Sequence, residues 1–226
     1  NILKKNNKNL KLFNYSNKYS LYDDLNCNKI QFIVDYEYDF YNNYFGLNKK
    51  YKFNNINFVC GLFYNYFYFI IKKTPLAPRK IIDFSNVTNK IIIGVTKESL
   101  IYLTYIFNLL EIKILQYSDD LSENNIYYKI LPVNELISDY NFNVIDGVFL
   151  LGNYNDPIIK QLITDKNNIF IDFENKDNNN IFYVNEEIIL KDYYYLINQY
   201  SFASKKLRLN LIGNNFKQND KLSENI

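Results

Sequence analysis

The fold is decided by the stretch Ile91-Ile92-Ile93-Gly94-Val95-Thr96-Lys97-Glu98-Ser99, in which a short apolar strand stops at a glycine and a helix follows. Thr96 or Lys97 caps this helix, Glu98 lies in its first turn, and apolar residues continue it to residue 112. The alternation continues with strands predicted at 114–117, 144–151 and 169–173 and helices at 132–140 and 156–164. Short apolar strands that alternate with helices predict an α/β fold with mainly parallel sheets, covered on both faces.

The remainder of the chain adds elements and two connectors. Helices are predicted at 16–26, 36–44 and 202–212, a short helical turn at 81–84, and strands at 10–15, 30–34, 58–71 and 193–197. Two prolines in 74–78 mark one connector, and the polar stretch 174–190 marks another. We therefore expect two lobes with a hinge near 74–79 and 174–190. The first lobe would hold residues 1–73 and 190–213, the second 74–189, and 214–226 would form a disordered tail.

The composition excludes several classes of function. Hydrophobic residues make up 48% of the chain and charged residues 22%, as in a globular protein. A formal net charge of +2, without a basic run, argues against a nucleic-acid partner. The absence of His excludes a Ser-His-Asp or Cys-His mechanism and removes the commonest metal ligand. We therefore predict no catalytic residues, no metal site and no cofactor.

Codon usage and processing explain other features of the composition. The bias toward Asn, Ile, Lys, Tyr and Phe, with only 6 Gly and 4 Pro, indicates an AT-rich genome. Cys27 and Cys60 are predicted to be buried thiols that are not linked to each other. Because the chain has no Met, we expect that residue 1 is not the start of the gene product. The location is then extracytoplasmic if a leader was removed, and otherwise an organelle or endosymbiont compartment.

Four passages carry a resemblance to a known family. They are Ile30-Gln31-Phe32-Ile33-Val34-Asp35 with Tyr38-Asp39, the aromatic strand at 58–71, Ile81-Ile82-Asp83-Phe84 before Lys90-Ile91-Ile92-Ile93-Gly94, and Val144-Ile145-Asp146-Gly147 followed by Gly152, Pro157 and Leu162. In order and spacing they resemble the type II periplasmic solute-binding proteins. The chain is most similar to the TAXI branch, the receptor subunits of TRAP-type transporters. It departs from the family ahead of Leu10, where the opening strand and Gly-rich loop are absent, and after Gly94, where the family has Gly-Ser-Gly-Thr.

The turn that opens the helix after this glycine is a candidate anion site. Backbone N–H groups at a helix N-terminus are free and carry partial positive charge. Around Gly94, the hydroxyl groups of Thr96 and Ser99 can donate hydrogen bonds, and Lys97 adds charge. The alternative is an ordinary capped helix, in which Glu98 complements the helix dipole.

Two further places complete the predicted ligand site. Asn153 and Tyr154 lie in a second strand-to-helix turn, at the carboxyl end of a strand, where α/β sheets place ligands. Asp35 and Tyr36 end a strand in the other lobe and are expected to face the same cleft. The alternatives are a surface turn and a simple strand terminator.

Three classes of function follow. The resemblance implies a non-enzymatic receptor that closes a hinge over a small anionic solute, an amino acid or an organic acid, and delivers it to a membrane transporter. A second class is a degenerate binding-protein fold that serves as a structural subunit of a larger assembly, with other protein subunits as partners. A third class, an enzyme on the same bilobal fold of the porphobilinogen-polymerising or prephenate type, is disfavoured because no catalytic constellation is visible.

Overall fold

The computed structural model describes residues 18–36, 40, 56–118, 126–153, 155–173, 184–189 and 201–214. The predicted strands at 10–15 and 193–197, most of the helix at 36–44, Tyr154 and residues 215–226 lie outside this part of the chain. In chain order the described elements are α1 (Lys18–Asn26), β1 (Phe32–Tyr36), β2 (Ile56–Lys72), a 3-10 helix (Ile81–Asn86), β3 (Ile91–Val95), α2 (Lys97–Leu109), β4 (Ile114–Gln116), β5 (Ile126–Ile130), α3 (Val133–Asn141), β6 (Gly147–Gly152), α4 (Pro157–Thr164), β7 (Asn168–Phe170), β8 (Val184–Ile189) and β9 (Ser201–Asn214). The predicted α/β class is confirmed.

The chain divides into two compact units. The smaller unit consists of Asn1–Phe63 and Arg208–Ile226, and the larger one of Tyr64–Leu207. Both boundaries fall inside a long strand, since β2 and β9 each begin in one unit and end in the other. The hinge near 74–79 stays a prediction; this proline connector lies between β2 and the 3-10 helix, and both of these elements continue into the larger unit. The second predicted crossing, at 174–190, contains β8 of the same unit.

The sheet of the larger unit is mixed rather than mainly parallel. β6, β3, β5 and β4 are neighbours in that order and run parallel, whereas β2 pairs antiparallel with β6 and with β7. β8 and β9 also pair antiparallel. The predicted helix at 202–212 is wrong, because this stretch forms β9. Its Leu, Lys and Arg residues have high helix propensity, but pairing with neighbouring strands outweighs that weak preference.

The two faces of this sheet pack against different helices. On β2, Phe67 and Phe69 point to one face and Tyr68 and Ile70 to the other, because side chains alternate along a strand. The first face carries an aromatic cluster with the 3-10 helix and α2, in which the ring centroids of Phe67 and Tyr102 are 5.4 Å apart. The second face is covered by α3 and α4 through Leu136, Tyr140, Ile159, Leu162 and Ile163. Helices α2 and α3 therefore lie on opposite faces of the sheet.

The smaller unit has its own core and both thiols. β1 pairs antiparallel with β9, from Phe32 opposite Gly213 to Tyr36 opposite Leu209. Its apolar core consists of Tyr22, Leu25, Ile30, Ile33, Phe40, Ile56 and Ile212. Cys27 and Cys60 are free, as predicted. Their predicted burial is wrong, since Cys27 follows the last residue of α1 and is exposed, and Cys60 is half-buried.

Candidate functional site

Three helices of the larger unit begin at one edge of its sheet. The neighbouring strands β6, β3 and β5 run parallel, so their carboxyl ends share an edge, and α4, α2 and α3 respectively follow them. Because α2 and α3 leave toward opposite faces, the boundary between β3 and β5 is a topological switch point. Open α/β sheets bind ligands in the crevice at such a point, outside the carboxyl ends of the strands.

The start of α2 is a closed N-cap. Thr96 Oγ1 accepts the backbone N–H of Ser99 at 3.2 Å and donates to Ser99 Oγ at 3.1 Å. Thr96 is 8% exposed and Ser99 3% exposed, so both hydroxyl groups are withdrawn from solvent. Lys97 and Glu98 are exposed at the same turn. The predicted cap is confirmed at Thr96. Of the four predicted site residues at this turn, Gly94, Thr96, Lys97 and Ser99, it is Lys97 that carries a charge accessible to solvent.

Gly94 is required by packing inside the sheet layer. A Cβ at this position would overlap the side chain of Ile145 and lie 3.4 Å from Leu136 Cγ. Leu136 belongs to α3, which covers this face of the sheet. The glycine therefore lets a helix and a loop approach β3 closely, whether or not a ligand binds at its end.

The start of α3 is open, in contrast to that of α2. Pro132 occupies the N-cap position and has no side-chain hydrogen bond to the helix, and its carbonyl oxygen accepts from Leu136 N at 2.9 Å. The first three helical N–H groups, at residues 133–135, have no partner among the described residues. Leu131 N donates to Val95 O at 3.0 Å, which joins the start of α3 to the start of α2. Free donors therefore lie at the switch point.

The turn before α4 satisfies its own polar groups. Asp156 Oδ1 accepts from Ile158 N at 2.9 Å, and Pro157 occupies the first helical turn, as predicted. Asn153 Oδ1 accepts from Asn155 N at 3.0 Å, while Asn153 Nδ2 donates to Tyr64 O at 3.4 Å. The amide of Asn153 therefore holds the turn and ties it to β2. Tyr154, its predicted companion, lies outside the described residues.

The remaining predicted site residues belong to the smaller unit. Asp35 is 5% exposed; its carboxylate accepts from Tyr22 OH at 3.0 Å and from Tyr36 N at 2.9 Å. Tyr36 is half-buried at the end of β1. The structure thus groups Gly94, Thr96, Lys97, Ser99 and Asn153 in one unit and Asp35 and Tyr36 in the other.

Sequence reasoning missed β5 and therefore the switch point. No element was predicted at 118–131, although the strand Ile126–Ile130 ends two residues before a proline and a predicted helix. The proline at residue 132 was the available signal. Because proline is common at helix starts, it indicates that the preceding apolar run ends before the helix. Lys129 pairs with Asp139 of α3 at 2.9 Å and ties the strand to this helix.

A buried tyrosine anchors the other end of α3. Tyr140 OH donates to Asn168 Oδ1 at 2.7 Å, and Asn168 Nδ2 donates to Leu162 O at 2.8 Å. Burial, and secondarily the carboxylate of Asp165, raise the pKa of Tyr140 well above its ordinary value of 10.0. This phenol is therefore a neutral hydrogen-bond donor in the folded protein at any physiological pH.

A cavity of about 490 Å³ lies at the opposite edge of the same sheet, beside the amino end of β3. It is lined by the proline connector and the loop before β3, and by no residue of the predicted site. Pocket size alone favours this cavity as a ligand site, whereas strand topology favours the switch point. The cavity and the switch point are therefore two separate candidate sites.

The described residues contain no group of three or more acidic or thiol side chains placed for a metal, and no helix long and apolar enough to span a membrane.

Comparison with known proteins shows the fold alone. No protein-family model and no curated protein matches the sequence. The structure of XAC2383 from Xanthomonas citri bound to ATP matches 93% of this chain at a TM-score of 0.50 and 10% sequence identity. This chain covers 66% of XAC2383, just under two thirds of its length.

Two further neighbours have TM-scores below 0.5. The GluR0 ligand-binding core in complex with L-glutamate matches at 0.45, with 9% identity over 96% of this chain and 72% of that one. GshT of Streptococcus mutans, from work on glutathione import with the cystine ABC importer TcyBC, matches at 0.46, with 11% identity over 96% and 72%. The chain shares the fold of XAC2383, and its α/β class agrees with the fold class that the sequence resemblance implied.

Proposed function

We propose that the chain is a non-enzymatic solute-binding protein and that the switch point of its larger unit binds the carboxylate of a small solute. The open start of α3 supports this most, because the N–H groups at residues 133–135 lack partners in the described part of the chain. A helix N-terminus favours an anion by about 0.3–2 kcal/mol, and each hydrogen bond adds about 0.5–1.5 kcal/mol. Lys97, at the neighbouring helix start, adds an exposed positive charge.

The charges at this edge favour an amino acid over a dicarboxylic acid. Glu98 and Glu135 lie in the first turns of α2 and α3 and are exposed. Their two carboxylates partly cancel the attraction of the helix ends for one negative charge, oppose a second one further, and attract an ammonium group. An amino acid carries one carboxylate for the N–H donors and one ammonium for these side chains. We therefore rank amino acids first and mono-carboxylic organic acids second.

The partner and the location are proposed from the sequence resemblance. A solute-binding protein of this kind delivers its ligand to a membrane transporter and works outside the cytoplasm. The more specific assignment to the TAXI branch depends on the four passages quoted above.

A thermal-unfolding screen tests the proposed function. The protein would be unfolded with each of the common amino acids and with succinate, malate and acetate. A true ligand stabilises the folded state by about 2.7 kcal/mol at a hundredfold excess over its dissociation constant. At least one amino acid should do so, and it should exceed every dicarboxylate. A folded sample that no compound stabilises would refute the proposal.

A structural subunit of a larger assembly is the second candidate. Two observations favour it: the hydroxyl groups of Thr96 and Ser99 are used by the N-cap, and β1 and β2 expose large apolar side chains. The exposed residues of these strands are Phe32, Val34, Phe58, Val59, Leu62, Phe63 and Tyr64. Such surface clusters are common where proteins associate. Sedimentation at several concentrations tests the case in which the partner is a second copy of this chain, since a mass above the 27.1 kDa of one chain would then be measured.

A further inference from the structure

The cavity at the amino edge of the larger unit has walls that are held by hydrogen bonds. Asp146 joins two of them: its carbonyl oxygen accepts from Lys72 N at 3.1 Å, and its Oδ2 accepts from Ile92 N at 2.8 Å. Asp83 fixes a third wall, since its Oδ2 accepts from Arg79 N at 2.9 Å and Lys80 N at 2.8 Å. A site whose walls are already fixed loses little conformational freedom when it binds a ligand.

Both carboxylates keep an acceptor oxygen for a ligand. Oδ1 of Asp83 and Oδ1 of Asp146 accept no hydrogen bond from any residue that the structure describes, and neither side chain is in an ion pair there. The side chains of Thr74, Asn86, Thr88 and Asn89 also line the cavity without a hydrogen-bond partner in the described ranges. The polar part of the lining thus offers two free carboxylate oxygens together with Asn and Thr side chains that can donate or accept.

The two lysines that line the cavity place their ammonium groups against residues outside it. Lys90 Nζ lies 4.7 Å from the ring centroid of Tyr117, and Lys72 Nζ lies 4.1 Å from that of Tyr140. Lys72 Nζ is also 4.0 Å from Asp165 Oδ2. None of these partners lines the cavity, so the stems of both lysines form its wall while their ammonium groups interact outside it. Of the four charged side chains that line the cavity, the two aspartates are therefore the ones without an ion-pair or cation–π partner among the described residues.

Apolar residues supply the remaining surface. Ile71 and Pro78 are buried in the wall, and Ile91 is half-buried beside them. Leu76, at the tip of the connector, is 83% exposed. An alkyl chain can contact these side chains while a cationic end group reaches the carboxylates. Small-molecule sites commonly combine an apolar wall with a few oriented polar groups in a cavity of about 300–1,000 Å³.

We propose that this cavity is a second binding site, distinct from the switch point, and that it takes a small aliphatic amine. The ammonium group of the ligand donates to Oδ1 of Asp83 or Asp146, with the Asn and Thr side chains as further acceptors. The alkyl part packs on the wall formed by Ile71, Pro78 and Leu76.

Titration with two ligands of equal length tests this proposal. Putrescine carries an amine at each end, and butanediol replaces each amine by a neutral hydroxyl group. Binding is followed by backbone amide NMR shifts of the folded chain. We expect saturable shifts from putrescine at residues 74–90 and about tenfold or more weaker binding of butanediol, as expected for loss of charge-assisted hydrogen bonds. Equal binding of both compounds, shifts centred elsewhere, or no shift at all would overturn the proposal.

Charge-removing variants locate the site. Asp146→Asn and Asp83→Asn keep an oxygen that accepts the same backbone N–H groups, so their folds should be retained. Each should weaken putrescine binding about tenfold or more, while Asp139→Asn, which pairs with Lys129 outside the cavity, should not. If one variant fails to fold, the other still decides the question. Unchanged affinity in a folded Asp83→Asn or Asp146→Asn protein would contradict the assignment.

Discussion

Leu131 donates its backbone N–H to the carbonyl oxygen of Val95 over 3.0 Å, and this bond joins the ends of β3 and β5. From these two adjacent ends the chain departs to opposite faces of the sheet, through α2 and α3. The two helix starts differ, since Thr96 closes the first and no side chain closes the second.

Removal of the Thr96 hydroxyl should affect stability and not ligand binding. Thr96→Ala loses the acceptor of Ser99 N, and the loss of an N-cap costs about 0.5–2 kcal/mol. Urea unfolding at neutral pH measures this cost. The stabilisation that an amino acid gives in the thermal screen should stay the same, because the hydroxyl is buried in the cap. A folded Thr96→Ala protein that no longer responds to the ligand would show that this hydroxyl binds it.

A methyl group at Gly94 should destabilise the larger unit. Gly94→Ala forces its Cβ against Ile145 and Leu136, and such overpacking costs about 1–3 kcal/mol. Gly152→Ala is the matched control, because its Cβ would lie 3.5 Å from Ile159 Cγ1, an ordinary contact. Chemical unfolding should separate the two variants clearly. Equal stability of both would refute the packing role given to Gly94.

Glycine at residue 111 should stabilise the protein. Glu111 follows the end of α2 with φ of 57°, a left-handed conformation that costs a residue with a Cβ about 1–2 kcal/mol. Glu111→Gly should therefore raise the free energy of unfolding by about 0.5–1 kcal/mol after the entropy cost of glycine. Asn143→Gly, at φ of 58° after α3, should gain less because Asn tolerates this region. A larger gain at Asn143 than at Glu111 would contradict this explanation.

Much of the larger unit could be predicted from sequence because its signals are local. The cap at Thr96, the proline at the start of α4 and the run of apolar residues in β2 each occur within a few residues. β9 could not be predicted in this way, because it forms by pairing with strands far away in the chain, such as β1 at residues 32–36. The switch point was equally inaccessible, since it depends on β5 lying beside β3 and not on any motif.

Removal of the Tyr140 hydroxyl should change both stability and its alkaline dependence. Tyr140→Phe leaves Asn168 Oδ1 buried without its donor, which costs about 1–3 kcal/mol at neutral pH. The raised pKa of Tyr140 means that the folded protein keeps this proton while the unfolded chain releases it above pH 10.0, so wild-type stability falls as pH rises past that value. Tyr140→Phe has no phenol proton to release at this position, so its stability does not fall in this way. The difference in the free energy of unfolding between wild type and variant should therefore narrow by about 1.4 kcal/mol per pH unit above pH 10.

Urea unfolding at pH 7 and at two pH values above 10 measures this change. Tyr117→Phe, at a half-buried ring, serves as the control at pH 7 and should cost less than Tyr140→Phe, because its hydroxyl group has no hydrogen-bond partner among the described residues. A deficit of Tyr140→Phe that stays constant or widens above pH 10 would contradict the protonated state assigned to Tyr140.

The most direct test of the proposed solute site removes a single N–H group from the start of α3. Val133→Pro deletes one free donor at the first helical position, where proline is favoured, and Val133→Ala changes the side chain but keeps the donor. Thermal unfolding with the most stabilising amino acid would be compared for both variants and wild type. Val133→Ala should keep the wild-type response, whereas Val133→Pro should bind more weakly by about 0.5–1.5 kcal/mol with its ligand-free stability retained. An identical ligand response in wild type and Val133→Pro would contradict the site.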